Sequence, residues 1–170
     1  MRAGNLPVQD PAFWKGRLLN VVATGQDLHK AVYDIDYSVW SSIQGKTRDV
    51  LRRYVRPGDL VLDAGCGLGV VSTLLPRGVR YVGVDVSPDL IELARVRHPD
   101  ETFIIGDLRR LSFSVPKQFD WVICRSVRNM IEDNLGPEAW AEILTELRRV
   151  GKKVLLLEYG EEDLPVEVIE

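Results

Sequence analysis

Five short apolar runs punctuate the chain after residue 59: Leu60–Asp63 (LVLD), Tyr81–Val84 (YVGV), Thr102–Ile105 (TFII), Phe119–Cys124 (FDWVIC) and Lys153–Leu157 (KVLLL). They are rich in β-branched residues and nearly continuous, without the strict alternation of a strand that has one wet face. This pattern predicts strands of a parallel sheet covered on both sides. Each of the first three ends on or beside an acid and a glycine. LVLD is entered through the turn Arg56-Pro57-Gly58-Asp59 and left through a row of glycines, YVGV ends at Asp85, and TFII ends at Gly106-Asp107.

Helix-length segments fill the gaps. Gly69–Leu75 is a short one, stopped by Pro76. Pro88–His98 starts after Ser87, with proline at the first helical position, an arrangement that satisfies and preorganises a helix N-terminus. Pro137–Val150 carries Trp140, Ile143, Leu144 and Leu147 at helical spacing, and Gly151 stands where a C-terminal cap is expected. Strands and helices alternating at this spacing form right-handed βαβ units. The expected fold is therefore α/β, a doubly wound, Rossmann-like, mostly parallel sheet of about five strands with flanking helices. Ahead of it, Asp10–Asn20 and Ser41–Tyr54 read as helices, separated by the aromatic and polar stretch HKAVYDIDYSVW at 29–40. We expect one domain over 1–170. Residues 1–45 form a helical cap or lid, 46–160 a ligand-binding core and 161–170 a short tail.

Composition narrows the class. With 170 residues, 45% hydrophobic and 28% charged, the chain has the makeup of a soluble globular domain. A net charge of −3 speaks against a constitutive nucleic-acid binder. The longest apolar runs are too short to span a bilayer, and the N-terminus lacks a signal layout, so no membrane role and a cytoplasmic location are expected. Two cysteines, Cys66 and Cys124, are too few for a disulfide framework or a four-thiolate zinc site, and no metal is expected.

The stretch VLDAGCGLG at 61–69 concentrates the chemistry. Glycine lets another molecule approach the backbone closely. In an open α/β sheet, ligands lie beyond the carboxyl ends of the strands where strand order reverses. The dinucleotide fingerprint G-x-G-x-x-G is shaped for a pyrophosphate. Here Gly65, Gly67 and Gly69 run G-x-G-x-G behind Asp63. A carboxylate there would repel a pyrophosphate but attract an ammonium, so a nucleoside bearing an amino-acid tail fits better. Asp85 stands 20 positions after Gly65, where an acid accepts from ribose hydroxyls. Asp107 at the third strand's mouth can accept from an exocyclic amine.

VLDAGCGLG, YVGVDVS and IIGDLRRL, in that order, resemble the first three motifs of the class I S-adenosylmethionine-dependent methyltransferases. FDWVICRSV resembles that fold's fourth strand, and LRRVGKKVLLLE its following helix and fifth strand. The resemblance covers roughly residues 46–160. It implies S-adenosylmethionine as cofactor and S-adenosylhomocysteine as product. The loop Asp63-Ala64-Gly65-Cys66-Gly67 through Gly69 would hold the methionine part, Asp85 the ribose, and Asp107 with Leu108 the adenine. Val86 would pack on the adenine, and Arg125 would line the methionine end. The family usually continues past the fifth strand with a helix and an antiparallel pair of strands. Here Val166–Ile169 offers one short strand, so a reduced C-terminus is expected, with an exposed sheet edge at Leu155–Leu157 on which a homodimer could form.

An in-line methyl transfer needs alignment of nucleophile, methyl and sulfur above all. Where the nucleophile must lose a proton, His29 is the first candidate base, because histidine titrates near neutrality. Tyr33 and Tyr37 would contact the methionine carboxylate or the acceptor, and Arg128 and Asn129, expected in a loop after the fourth strand, would contact the acceptor. Cys66 reads as a small residue in a crowded loop and Cys124 as core. His98 reads as a helix-end residue facing the dipole, and Arg109-Arg110 as solvated charge. The place after the fourth strand reads Cys124-Arg125-Ser126-Val127, without the Asn/Asp-Pro-Pro-aromatic tetrad of nucleobase amine methylation. A small-molecule acceptor leads, with a protein or RNA acceptor behind it. A catalytically idle cofactor-binding or activator subunit, or another S-adenosylmethionine-consuming enzyme, is the alternative.

Overall fold

A computed structural model describes residues 10–24, 30, 36–158 and 165–170, with the main chain alone for 20–24. After helices α1 (Pro11–Thr24) and α2 (Tyr37–Tyr54) come β1 (Leu60–Ala64), a 3-10 turn (Val70–Leu74), β2 (Arg80–Asp85), α3 (Pro88–Arg97) and β3 (Thr102–Ile105). Then follow β4 (Phe119–Arg125), α4 (Arg128–Leu135), α5 (Pro137–Val150), β5 (Gly151–Leu157) and β6 (Val166–Ile169). The strands form one sheet in the order β3-β2-β1-β4-β5-β6. The first five are parallel, and β6 runs antiparallel to β5.

Strand parity explains why the runs are apolar throughout. Leu62, Ala64, Val122, Cys124, Val154 and Leu156 meet α4 and α5 through Ile131, Trp140, Ile143 and Leu147. Their neighbours Val61, Ile123, Leu155 and Leu157 meet α2 and α3 through Leu51, Val55, Ile91 and Ala94. Each such fully buried leucine contributes about 1.5–3 kcal/mol relative to exposure.

The elements follow the expected order, with instructive departures. Among the described residues there are six strands, one more than the expected count of about five. The added strand, β6, lies along β5, so Leu155–Leu157 is no sheet edge, and Leu155 and Leu157 are both 0% exposed. The sheet edge lies at β6 instead, so the homodimer and idle-subunit readings no longer rest on Leu155–Leu157. Gly151 is the C-cap of α5, its N–H donating to the Leu147 carbonyl, but in an extended conformation (φ −100°) that starts β5 at once. Its role is proximity: a Cβ there would come within 2.5 Å of Val122 Cγ2.

Helix α2 begins at Tyr37, four residues earlier than the pattern suggested. Trp40 on its first turn joins Trp14 and Leu18 of α1 and Leu93 of α3 around Leu68, Val70 and Leu90. The described part of the N-terminal segment is thus packed against the residues that follow the glycines. His29 and Tyr33, the other members of the expected lid, lie outside the described residues.

Candidate cofactor and acceptor site

From β1 the chain winds outward to β2 and β3, and from β4 outward to β5 and β6, so strand order reverses between β1 and β4. The mouth at that point is where a ligand belongs. Leaving β1, the chain turns back on β2: the N–H groups of Gly65 and Cys66 both donate to the Val84 carbonyl, at 2.8 and 3.0 Å. Gly65, Gly67 and Gly69 hold φ of 77°, 51° and 73°, a left-handed backbone that side chains resist. At Gly65 the space is closed as well. A Cβ would lie 2.6 Å from Val127 Cγ2 and 3.9 Å from Leu108 Cδ1, so the loop rests on residues from the ends of β4 and β3.

Asp85 ties the loop to β2. Its Oδ2 accepts from the Gly67 N–H and its Oδ1 from the Ser87 N–H, both at 2.9 Å. Burial raises its pKa despite these bonds. Two carboxylate oxygens offer about four lone-pair sites, so further hydroxyl donors can still be accepted. Ser87 in turn caps α3, its Oγ accepting from the Leu90 N–H at 3.3 Å. Val86, half-buried, sits between the two anchored positions.

Asp63 stands in β1 immediately before the loop and is buried. It is 1% exposed, and Tyr81 donates its hydroxyl to Oδ2 at 2.7 Å. Burial pushes its pKa up to about 6, against the pull of the Tyr81 hydrogen bond and of the Arg125 charge. Arg125, closing β4, donates from Nη1 to Gln44 Oε1 on α2 at 2.8 Å. The Gln44 amide Nε2 and, farther along α2, the Thr47 hydroxyl are buried without hydrogen-bond partners among the described residues. Asp63, Arg125 and Gln44 thus place an anion, a cation and an unused amide donor at one end of the crevice.

Asp107 is gripped by Arg109, whose Nη2 donates to Oδ2 at 2.6 Å and whose Nε donates to Oδ1 at 3.1 Å. This holds the Asp107 carboxyl below its usual range and shows Arg109 to be paired rather than merely solvated. Cys66 packs over Gly83 with Tyr81 and Phe103, and burial pushes its thiol well above the ordinary range. Cys124, in the core, is raised likewise. His98 is the C-cap of α3, as its position suggests; its ring lies against Phe103 and Gly69, and burial lowers its pKa.

On the acceptor side, Arg128 and Asn129 are on the first turn of α4, not in a loop. Arg128 pairs with Glu132 at 3.0 Å and with Glu167 of β6 at 3.6 Å. Asn129 is exposed, and Tyr37 is 64% exposed with its ring stacked on Trp40. Two residues escaped the sequence reading. Gln44 was legible as a polar residue on the face that Thr47 and Leu51 bury; Glu158 was legible only as the charge that ends an apolar run.

These features fit S-adenosylmethionine: left-handed glycines for close approach, a carboxylate at the ribose position, and anion, cation and spare amide donor for a zwitterionic tail. Together with the six-stranded sheet they define a Rossmann-like domain of the class I S-adenosylmethionine-dependent methyltransferases. Residues 61–153 match the model of the methyltransferase domain family, and the chain belongs to that family. Over 89 residues it is 38% identical to magnesium-protoporphyrin O-methyltransferase of Rhodobacter capsulatus, covering 45% of this chain and 38% of that one. Over 93 residues it is 34% identical to the ubiquinone biosynthesis O-methyltransferase of Xanthomonas campestris pv. campestris, covering 51% of this chain and 38% of that one. The match therefore spans less than two fifths of these relatives' length. Among solved structures, the PH0226 protein of Pyrococcus horikoshii OT3 superposes with a TM-score of 0.62 at 33% identity, covering 70% of this chain and 57% of that one. No helix among the described residues is long and apolar enough to cross a membrane.

Proposed function

We propose that the protein binds S-adenosylmethionine and transfers its methyl group to a small-molecule acceptor. The observation that carries this reading is the coupling of Asp85 to the Gly67 N–H, which fixes a ribose-binding acid and a methionine-binding loop as one unit at the switch point. In this reading Ala64, Gly65, Cys66, Gly67 and Gly69 carry the methionine part across the backbone. Asp63 and Arg125 balance its ammonium and carboxylate. Asp85 takes the ribose hydroxyls, Val86 and Leu108 pack on the adenine, and Asp107 shares its oxygens between Arg109 and the adenine amine.

When bound, the cofactor's sulfonium supplies an electrophilic methyl group. What the chain supplies is alignment and exclusion of water. Tyr37, Arg128 and Asn129 border the space left for the acceptor. His29 and Tyr33 keep the roles proposed for them from the sequence. The relatives whose names specify small-molecule O-methylation support a small acceptor over a protein or RNA one. Two buried free thiols suit a reducing cytoplasm.

The test is thermal unfolding with S-adenosylmethionine, S-adenosylhomocysteine and NAD, since a ligand of the native state raises apparent stability by mass action. Both sulfur nucleosides are expected to stabilise the protein and NAD to leave it unchanged. Asp85→Ala is expected to weaken cofactor affinity at least tenfold. Stabilisation by NAD alone would overturn the reading.

A further inference from the structure

Asp63, Asp85 and Asp107 stand at the ends of β1, β2 and β3, so a nucleoside held by them occupies that half of the crevice. The half above β4 and β5 remains for the acceptor. Two polar side chains there have no hydrogen-bond partner among the described residues although their oxygens are shielded from solvent: Ser126, just past β4, and Glu158, just past β5. The two positions are adjacent across the sheet, because the Ser126 N–H donates to the Leu157 carbonyl at 2.8 Å. Ser126 also holds a φ of 57°, a conformation an L residue adopts only when its surroundings impose it.

We propose that Glu158 is the proton acceptor of the methyl transfer, receiving the hydroxyl proton of a neutral, hydroxyl-bearing acceptor seated over the ends of β4 and β5. This rests on the cofactor reading above. The shielded Glu158 oxygens face the Arg128 main-chain N–H but meet no hydrogen bond of good geometry among the described residues, so a donor would recover part of the cost of burying the carboxylate. The Glu158 main chain is anchored, its N–H donating to the Pro165 carbonyl at 3.2 Å, so the side chain is presented from a fixed strand end.

The surrounding charge selects the acceptor. Glu158 faces Arg128 and Glu132 of α4 and Cys124 of β4, and Arg128 is shared with Glu167 of β6. Three carboxyls thus surround a single guanidinium, and a negatively charged acceptor would be repelled. Burial raises Glu158 to about 7, opposed by the Arg128 main-chain N–H and guanidinium and reinforced by Glu132. A base that titrates near the working pH is well matched to taking up a hydroxyl proton. In the step, the acceptor oxygen forms its bond to the methyl carbon as the carbon–sulfur bond breaks. Sulfur keeps that electron pair and becomes a neutral thioether, and the hydroxyl proton passes to Glu158.

The experiment uses wild type, Glu158→Gln and Glu158→Asp. Calorimetric titration with S-adenosylhomocysteine comes first; failure of the wild type to bind it would undo the cofactor reading, not this one. The complexes are then titrated with catechol from pH 5.5 to 8.5, with benzoate as the charged comparison. Catechol is expected to bind wild type in preference to benzoate, with affinity and proton uptake changing near pH 7. Glu158→Gln is expected to bind S-adenosylhomocysteine normally, bind catechol at least tenfold more weakly and lose that pH dependence, with Glu158→Asp intermediate. With labelled cofactor, kcat for transfer to catechol should fall on the order of 100-fold in Glu158→Gln, the usual contribution of a general base. Equal catechol binding and equal pH profiles in wild type and Glu158→Gln would overturn the proposal. So would preference for benzoate, or no catechol binding by the loaded wild type.

Discussion

Arg125 at the end of β4 donates to Gln44 of α2 at 2.8 Å, tying the N-terminal helices to the strand beside the glycine loop. The bond crosses 81 positions of sequence and uses only the oxygen of the amide. The nitrogen is buried and has no partner among the described residues. Gln44→Ala removes the acceptor from a part-buried guanidinium. A hydrogen bond to a charged group contributes roughly 1.5–3 kcal/mol, so a loss of that order is expected in urea denaturation. If the amide also receives the methionine carboxylate, affinity for S-adenosylhomocysteine should fall about tenfold. Lost stability with unchanged affinity would confine Gln44 to positioning Arg125.

A second prediction concerns Gly65. Its left-handed φ and the 2.6 Å approach of Val127 Cγ2 are separate obstacles to a side chain. Gly65→Ala should destabilise the fold by about 1–3 kcal/mol, the range of backbone strain and overpacking. Adding Val127→Ala removes the steric part alone. The pair should therefore show a favourable coupling in a double-mutant cycle, without recovering full stability. Strictly additive losses would mean that Val127 does not form the floor of the loop.

Where local chemistry dictated the outcome, the sequence was sufficient. Pro137–Val150 was delimited correctly by proline and glycine, and Ser87 capped α3 as its type and position required. The glycine loop was legible because its left-handed backbone favours glycine. What escaped depended on residues far apart in sequence. Nothing near Asp107 indicates that Arg109 folds back on it rather than into solvent, since a charged pair two residues apart has many rotamers. Nothing near Val166 shows that it pairs with Leu157. Glu158 matters only because β4, α4 and β6 converge around it, a relationship with no local signature.

The two thiols offer a third test. Cys66 and Cys124 are buried, and burial raises both well above the range in which a thiolate forms at neutral pH. Thiolate is the reactive form. Neither thiol should react appreciably with a disulfide reagent at pH 8 in the native protein, and both should react at once in denaturant. Cys66→Ala should retain methyl transfer. Rapid native labelling of Cys66 would show that the loop opens far more readily than its three backbone hydrogen bonds suggest.

The last prediction is the pH dependence set by Asp63. Its folded pKa is about 6, above the ordinary 3.8, because burial disfavours the carboxylate more than Tyr81 and Arg125 favour it. A group whose pKa is raised by folding binds more protons in the native state. Its contribution to stability is complete below about pH 3.8 and is lost as pH rises through about 6. The difference of about two units corresponds to about 3 kcal/mol. Asp63→Asn cannot ionise, so its stability relative to wild type should improve by up to that amount between pH 4 and pH 7. Comparing the two proteins by urea denaturation cancels the contribution of other titrating groups. An ammonium bound beside Asp63 favours the carboxylate, so cofactor binding should release a proton in this window. Affinity for S-adenosylhomocysteine should therefore rise from pH 4.5 to pH 6 in wild type and stay flat in Asp63→Asn. Parallel affinity profiles in the two proteins would place the ammonium elsewhere in the crevice.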